Sequence, residues 1–321
     1  VKDEEKQKFN LPYLLKKPKQ EIYLQSRYTL EEKEGYAASS ANQYLGEAFY
    51  GLFKYRFQSR NRLMFGFTAE KDEGEPFWNN YHKGFDFYSA HLQINDLGKF
   101  KRIVLGDYRA SFGYGLVMNM NFGMGKSSYT LNVLPSASGL NKSSSTNEYN
   151  YFRGIGTTVR VGKFDISGFY SNNKIDGSFN EEGVLTSIKK DGLHRTQSDW
   201  DKRNSLNQQV FGGDITFSCQ KFKTGITFVS TVLGKDLQPE LQPYNLYYFR
   251  GKEQFNIGLN YKYLWQRIKF FGETAIDSKG SAAILNGMIF SPMSRVGLVV
   301  LHRSYSEKYQ AFYANSFSEG S

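Results

Sequence analysis

The stretch Gln254-Phe-Asn-Ile-Gly-Leu-Asn-Tyr-Lys-Tyr-Leu-Trp265 decides the fold class of this chain. Every second residue from Phe255 to Trp265 is large and apolar or aromatic, and the residues between them are mostly polar or glycine. Because successive side chains of a β-strand point to opposite faces, this pattern predicts a strand with one apolar and one polar face. A lysine that faces lipid at mid-membrane lowers stability by roughly 2–4 kcal/mol. Because Lys262 lies on the polar face, we expect the opposite, apolar face to contact lipid. The residues expected to face lipid as an aromatic girdle are Phe255, Tyr261, Tyr263 and Trp265.

The same alternation recurs along the chain in segments of about ten residues, for example in 63–70, 89–94 and 268–277. Helical periodicity is absent, and no run approaches the 18 apolar residues of a membrane-spanning helix. Fourteen strands are predicted, near residues 21–29, 44–57, 61–71, 84–95, 100–109, 151–160, 163–171, 208–219, 221–231, 254–265, 267–277, 281–290, 293–302 and 308–316.

The connections between these segments alternate in length. One set has one to three residues, whereas most of the other set is long, at 72–83, 110–150, 172–207 and 232–253. Short turns on one rim and long loops on the other are typical of outer-membrane barrels. The sequence therefore predicts an all-β, antiparallel, up-and-down transmembrane β-barrel over residues 21–321, preceded by a periplasmic linker over residues 1–20. A Tyr-rich soluble β-sandwich is the alternative that composition alone leaves open.

The composition of the 321 residues agrees with a wall between lipid and water. Aromatic residues make up 17% of the chain, yet the mean hydropathy is −0.55. The formal charge of +10 suits anionic lipid headgroups, and no dense basic helix indicates nucleic-acid binding. We expect a bacterial outer-membrane location, with lipid and lipopolysaccharide as partners.

Residues that could support cofactor or metal chemistry are scarce. Cys219 is the single cysteine, and the four histidines show no metal-ligand spacing, so no metal or cofactor is predicted. Gly123–Ser127 resembles the end of a phosphate-binding loop, but the motif would need glycine where Met120 stands. A glycine-rich bend is the favoured interpretation of that segment.

Ser89 and His91 share the polar face of one predicted strand, and serine hydrolase barrels exist. No acid that could orient the histidine is identifiable from the sequence. The chain is therefore predicted not to be an enzyme, and a barrel-embedded hydrolase is kept as a third hypothesis.

Charged residues at inward positions and at the ends of strands predict either a filled or a water-lined interior. A barrel of 14 or more strands is too wide for its own side chains to fill, so a closed lumen would need the loop 110–150 folded inward. A further hypothesis is that the acids of 70–75 form a network with Arg153 and Arg195 that ties the loops over the barrel mouth. The predicted lumen and rim charges are Glu70, Asp72, Asp107, Arg109, Arg153, Arg195, Lys269, Glu273, Asp277 and Arg303.

Several short stretches spread over nearly the whole chain form a recognisable set: Ala69–Glu75, Gly84–Tyr88, Leu105–Tyr108, Phe112–Leu116, Gly125–Ser127, Phe152–Gly154, Gly192–Thr196, Gly272–Glu273 and Phe317–Glu319. In these stretches the sequence resembles a family of large Bacteroidota outer-membrane β-barrels. The resemblance implies a barrel that continues beyond Glu319 and follows an N-terminal helix-hairpin-helix region similar to competence DNA-binding modules. We therefore expect a chain cut at both ends, with any nucleic-acid partner bound through a region outside it.

The function expected from these features is a channel or translocation barrel with a polar, loop-gated lumen. The resemblance adds a link to DNA uptake as an analogy. The alternative is a plugged structural or interaction barrel whose long loops bind a surface partner. The protein partner expected for the barrel is a periplasmic or a surface protein.

Overall fold

The computed structural model describes residues 11–37, 39–80, 82–121, 137–293 and 296–315. Most of these residues lie in one sheet of 16 strands, which is antiparallel except where β10 pairs with β12. The strands are β1 Lys19–Tyr28, β2 Phe49–Ser59, β3 Leu63–Lys71, β4 Phe87–Leu97, β5 Phe100–Ser111, β6 Gly139–Lys142, β7 Phe152–Val161, β8 Phe164–Ile175, β9 Gly177–Phe179, β10 Leu185–Ile188, β11 Leu206–Ser218, β12 Phe222–Leu237, β13 Gly251–Trp265, β14 Ile268–Asp277, β15 Ala282–Met293 and β16 Val296–Tyr305.

Thirteen strands are hydrogen-bonded side by side in chain order, with β6, β9 and β10 off this path. This order is the up-and-down antiparallel topology predicted from the loop lengths, and that prediction is confirmed. Among the described residues, β1 pairs only with β2 and β16 only with β15, so the sheet is open between β1 and β16.

The faces of the strands are inverted relative to a soluble protein. In β13, Leu259 is 54% exposed on the outer face, whereas its neighbour Asn260 is only 6% exposed on the inner face. Polar inner positions recur on neighbouring strands, for example at Thr227 of β12 and Asp214 of β11. A single sheet with a polar interior and an apolar exterior is the arrangement expected of a wall that faces hydrocarbon.

The two rims differ as the sequence predicts. Tight turns connect the strands at one end, and several use residues with positive φ, such as Arg60, Asn61 and Gln266. The other end carries the long connections 72–86, 112–151, 176–205 and 238–250. We call these ends the turn rim and the loop rim.

Among the described residues, two short α-helices lie outside the sheet, α1 Leu11–Leu15 and α2 Gln197–Lys202, together with 3-10 turns at Glu34–Tyr36 and Pro243–Asn245. Thr196 caps the N-terminus of α2: its hydroxyl accepts from the amide of Asp199, and the Asp199 carboxylate accepts from the amide of Thr196. This reciprocal cap satisfies amides that a short helix would otherwise leave without partners. Within the described ranges, no helix is both long and apolar enough to cross a membrane.

Strand β5 brings the following chain into the interior. Its pairing with β4 reaches Gly106, where φ is +79° and an added Cβ would lie 2.2 Å from the Ala90 carbonyl oxygen. Strand β6 then pairs with the end of β5, and the amide of Lys142 donates to the inward side chain of Gln93 at 2.8 Å. The chain after β5 therefore starts against the inner face of the wall.

The predicted strand at 308–316 is wrong for the described residues of that segment. Residues 306–315 form no strand beside β16, and Tyr313 instead makes an isolated bridge to Met118 in the interior. The alternation of Tyr309, Ala311 and Tyr313 imitates a strand. The tyrosine rings, however, pack against the apolar core inside the sheet.

Candidate functional site

A continuous segment of the 112–151 loop fills the middle of the lumen. Phe112, Tyr114, Leu116, Val117, Met118 and Met120 are all buried and belong to one apolar cluster. That cluster includes inward residues of distant strands, such as Phe169 of β8, Phe271 of β14 and Leu285 of β15. Because one segment contacts so many strands, the sheet must curve around it. We call residues 112–120 the plug.

The carboxylate of Glu273 anchors the plug to the wall. Glu273 is 1% exposed on the inner face of β14, and its Oε2 accepts from the amides of Tyr114 at 2.6 Å and Leu116 at 3.2 Å. Gly113 has φ +58°, and an added Cβ would lie 2.8 Å from Glu273 Oε1. The turn that presents the amides to the carboxylate therefore requires glycine at position 113.

The segment 306–315 holds the plug from a second direction. Its Tyr309 hydroxyl donates to the Leu116 carbonyl at 2.8 Å, and the amide of Asn315 donates to the Gly115 carbonyl at 2.9 Å. The same segment is fixed to the wall, because the amide of Gln310 donates to Asp277 at 3.0 Å. Plug, wall and segment 306–315 thus form one hydrogen-bonded unit.

A buried histidine lies at the centre of the loop rim. The Nδ1 atom of His194 lies 2.6 Å from Asp86 Oδ2, and its Nε2 atom lies 2.7 Å from Asp176 Oδ2. The Asp86 side chain is 1% exposed and that of Asp176 is 11% exposed. Asp86 precedes β4, Asp176 follows β8, and His194 lies in the 176–205 loop, so the histidine joins separate parts of the rim.

Further contacts make this cluster the junction of three connections. The backbone amide of His194 donates to Glu75 at 2.8 Å, and Arg203 Nε lies 3.0 Å from Asp86 Oδ1. The amide of Leu45 donates to the Arg195 carbonyl at 2.8 Å, which attaches the connection between β1 and β2 as well. We call Glu75, Asp86, Asp176, His194 and Arg203 the rim cluster.

Electrostatics fix the charge of the rim histidine. Burial alone would lower the pKa of His194, but its hydrogen bonds to Asp176 and Asp86 outweigh that effect and raise the pKa to about 10. The imidazolium form, which donates from both nitrogens, is therefore the form present at neutral pH. Burial, followed by the nearby Asp86 carboxylate, raises the pKa of Glu75 to about 7.

The donor atoms of Glu75, Asp86 and His194 lie within 4.8 Å of one another, a spacing that could hold a metal ion. The prediction of no metal rested on sequence spacing, which cannot reveal residues brought together from 75, 86 and 194. In this structure, however, both ring nitrogens of His194 already bond to carboxylates. The cluster as it stands is a hydrogen-bonded tie between loops.

The predicted lumen and rim charges occupy several separate places. Glu273 and Asp277 hold the interior segments, and Asp107 pairs with Arg153 at 2.8 Å. Arg153 also donates to the Tyr88 carbonyl at 2.8 Å, so this pair bridges β4, β5 and β7 near the loop rim. Lys269 and Arg303 occupy inward register positions opposite Ile289 and Leu285, and Arg109 is paired in register with Asn141 of β6.

The acids at the end of β3 also separate. Glu70 accepts from the Tyr50 hydroxyl at 2.7 Å, whereas Glu73 pairs with Lys33 and Arg27. Arg195 lies over the ring of Tyr44 with its guanidinium carbon 5.9 Å from the centroid, and its charge lowers the pKa of Asp72, which burial raises overall. A functional role for this predicted network stays a prediction.

Ser89 and His91 are buried side by side on the inner face of β4, at 4% and 5% exposure. The His91 ring lies over Gly66, where an added Cβ would be 2.4 Å from it. No hydrogen bond joins the two side chains among the residues that the structure describes. The hydrolase hypothesis therefore has no supporting contact, and the absence of enzymatic activity stays a prediction.

The predicted girdle residues lie on the outer face of β13. Phe255, Tyr263 and Trp265 are exposed there, and the Tyr261 hydroxyl donates to Asn286 on β15 at 3.0 Å. Their contact with lipid stays a prediction. The glycine-rich stretch Gly123–Ser127 lies outside the described residues.

Sequence reasoning missed the rim cluster as a unit. Glu75, Asp86 and His194 each fall within a stretch that carries the family resemblance, namely Ala69–Glu75, Gly84–Tyr88 and Gly192–Thr196. Their shared occurrence in these stretches was the one feature of the sequence that could have indicated a common site. Asp176 lies in none of those stretches, and only the fold places it beside His194.

Comparisons with known proteins return outer-membrane proteins among solved structures. A loop L8 deletion mutant of OmpT, an outer membrane protein of Vibrio cholerae, is 11% identical, with 89% of this chain and 91% of that chain covered and a TM-score of 0.33. A triple mutant of the Rhodopseudomonas blastica porin is 10% identical, with 89% and 95% covered and a TM-score of 0.29. No family model and no curated protein matches the chain. The proposals below rest on this chain's own burial pattern and contacts.

Proposed function

We propose that this chain is a bacterial outer-membrane barrel whose lumen is closed by its own polypeptide, and that it acts through its long loops. The observation that carries this proposal is the buried plug, anchored by Glu273 and by segment 306–315. An open channel would need a continuous water path where these residues now pack. The plugged barrel is thus favoured over the loop-gated channel.

The membrane location is supported by the exposed apolar face of the sheet. Burying such a face in lipid removes a large apolar area from water, whereas in aqueous solution it would cause association. Several polar inner side chains bond to the interior segments, as Glu273 does to the plug and Asn256 to the Gln310 carbonyl. Lipid and lipopolysaccharide are accordingly the proposed partners of the outer face.

An interaction role is supported by the connection between β12 and β13. Five of its large apolar side chains are exposed, and Tyr244 is 77% exposed. Exposed aromatic patches on a loop are typical of protein interfaces, in which tyrosine is enriched. The patch consists of Leu241, Tyr244, Leu246, Tyr247 and Tyr248.

The second candidate is a gated channel, and the polar inner wall favours it. Buried Gln254, Asn256 and Thr231 would suit a water-filled lumen if the plug moved. In that case Glu273 would be part of the gate. A link to nucleic acid through a region outside this chain stays a prediction.

Single-channel recording in planar bilayers tests the proposal. The wild-type chain is expected to be silent, whereas Glu273→Ala removes the acceptor of two plug amides and is expected to produce conducting events. Glu253→Ala changes an exposed acid on β13 and serves as the matched control. Steady conductance by the wild-type chain would contradict the closed lumen and favour the channel.

A further inference from the structure

A cavity lies in the lumen between the plug and the turn rim. Its volume is about 310 Å³, and residues 112–114 of the plug form part of its lining. The remaining lining comes largely from the turn-rim halves of β5, β7, β8, β11, β12 and β13. Its ionisable side chains are Lys101, Arg102, Asp165, Asp214, Lys223 and Lys262.

Two of these lysines form a like-charge pair across neighbouring strands. Lys223 of β12 and Lys262 of β13 are direct register partners. Both side chains point inward, because Lys223 is an even number of residues from buried Thr227 on β12 and Lys262 is an even number from buried Asn260 on β13. Like charges directly opposite one another in a sheet are destabilising, and partial burial strengthens their repulsion.

Among the described residues, the acids of the cavity form no ion pair with Lys223 or Lys262 within 4.0 Å, and Asp214 and Asp165 attract Lys223 only from a longer distance. Asp165 is held by Lys101 at 2.8 Å and by Arg160 at 2.7 Å. Asp214 accepts from the hydroxyls of Thr216 and Thr227 at 2.7 and 2.9 Å. Lys223 and Lys262 lie in the backbone ladder of β12 and β13, but within the described ranges neither side chain makes a hydrogen bond or an ion pair within 4.0 Å.

We propose that this cavity binds a small phosphate-type anion between Lys223 and Lys262. An anion placed there would convert the lysine repulsion into two attractions, and lysine ammonium groups bind phosphate as point charges. The volume lies at the lower end of the range for small-ligand pockets, which favours a small anion over a polymer. The two lysines belong to the wall strands β12 and β13, and the test below measures anion binding rather than conductance.

Calorimetric titration of the full chain in maltoside detergent, without phospholipid, tests the proposal. Inorganic phosphate is expected to bind at least tenfold more tightly than acetate. Lys262→Gln is expected to weaken phosphate binding at least tenfold, whereas Lys252→Gln, an exposed lysine of the same strand, should leave it unchanged. A parallel titration with glycerol phosphate shows whether a free or an esterified phosphate fits better, and tight binding of either supports the site.

Thermal unfolding gives a second measurement that separates binding from folding. Without phosphate, Lys262→Gln should melt at or above the wild-type temperature because it removes repulsion. Added phosphate should raise the melting temperature of the wild type but not that of the variant. Equal affinities for phosphate and acetate, unchanged binding by Lys262→Gln, or a lower melting temperature of that variant without phosphate would overturn the proposal.

Discussion

Replacing His194 with alanine is the sharpest test of the rim cluster. The substitution removes the bonds from the ring to Asp86 and Asp176, which lie 2.6 and 2.7 Å from its nitrogens. Both carboxylates would remain in place but would lose their shared cation. The loops of the rim are therefore expected to open more often, while the strands of the wall stay paired.

The size of the effect follows from two arguments. Removing one partner of a buried ion pair costs about 3–5 kcal/mol. Asp86 would keep Arg203 and Asp176 would keep the Asn204 amide, which favours the lower end of that range. Independently, a His194 pKa of about 10 in place of 6.5 corresponds to about 5 kcal/mol of preference for the charged form.

A loss of about 3 kcal/mol is about a 100-fold increase in the open population of the loop rim. Amide hydrogen exchange of the detergent-folded chain, read by mass spectrometry, measures that population. Faster exchange is expected in residues 72–86 and 176–205, and unchanged exchange in β11 and β12. His82→Ala is the matched control, because His82 packs on Trp200 of the same loop without joining the cluster.

An increase below threefold in His194→Ala, or an equal increase in His82→Ala, would refute the argument. Either result would mean that the aspartates are already satisfied without the histidine. Uniformly faster exchange in the strands would show instead that His194 supports the whole sheet.

Leu259→Lys is expected to lower the free energy of unfolding in bilayers by about 2–4 kcal/mol, because Leu259 lies on the outer face midway along β13. The control Tyr263→Lys changes a residue on the same face near the turn rim and should lower the free energy of unfolding by no more than about 1 kcal/mol. Equal losses for the two variants, measured by urea titration, would argue against a lipid-facing sheet. Protection of the loop rim against protease is expected to be highest near pH 4 to 4.5 and to fall as the pH rises towards 10. The contribution of His194 is complete below 6.5 and is lost as the pH rises towards about 10, and that of protonated Glu75 is lost between 4.5 and about 7. The lowered pKa of Asp176 makes its contribution disappear only below 3.8; greater protection at pH 9 than at pH 5.5 would contradict these signs.

The strand pattern was predictable because alternation is a local property. Each strand separates two environments along its whole length, so residues 254–265 carry the signal without reference to any other segment. Loop lengths also follow from the sequence, since they are the intervals between such patterns. These two local facts determine the antiparallel up-and-down order and the polar inner face.

Segment 306–315 shows where local reasoning fails. Its alternating tyrosines fit a strand, but the pattern does not say whether the rings meet lipid or an apolar core. In the structure the Tyr313 ring packs against Phe152, and its hydroxyl donates to Gln208. The rings of Tyr309 and Tyr313 lie inside the lumen because the apolar cluster that contains the plug offers them a surface there.

The sequence by itself determined the strands of the sheet and their polar and apolar faces, because the alternation of residues within each strand is a local property. Only the tertiary structure decided that the plug occupies the lumen and that the rim cluster joins the loops. Glu273 is 157 residues from Leu116, and His194 is 108 residues from Asp86. Contacts at such separations depend on how the whole sheet curves, and no local pattern encodes that curvature.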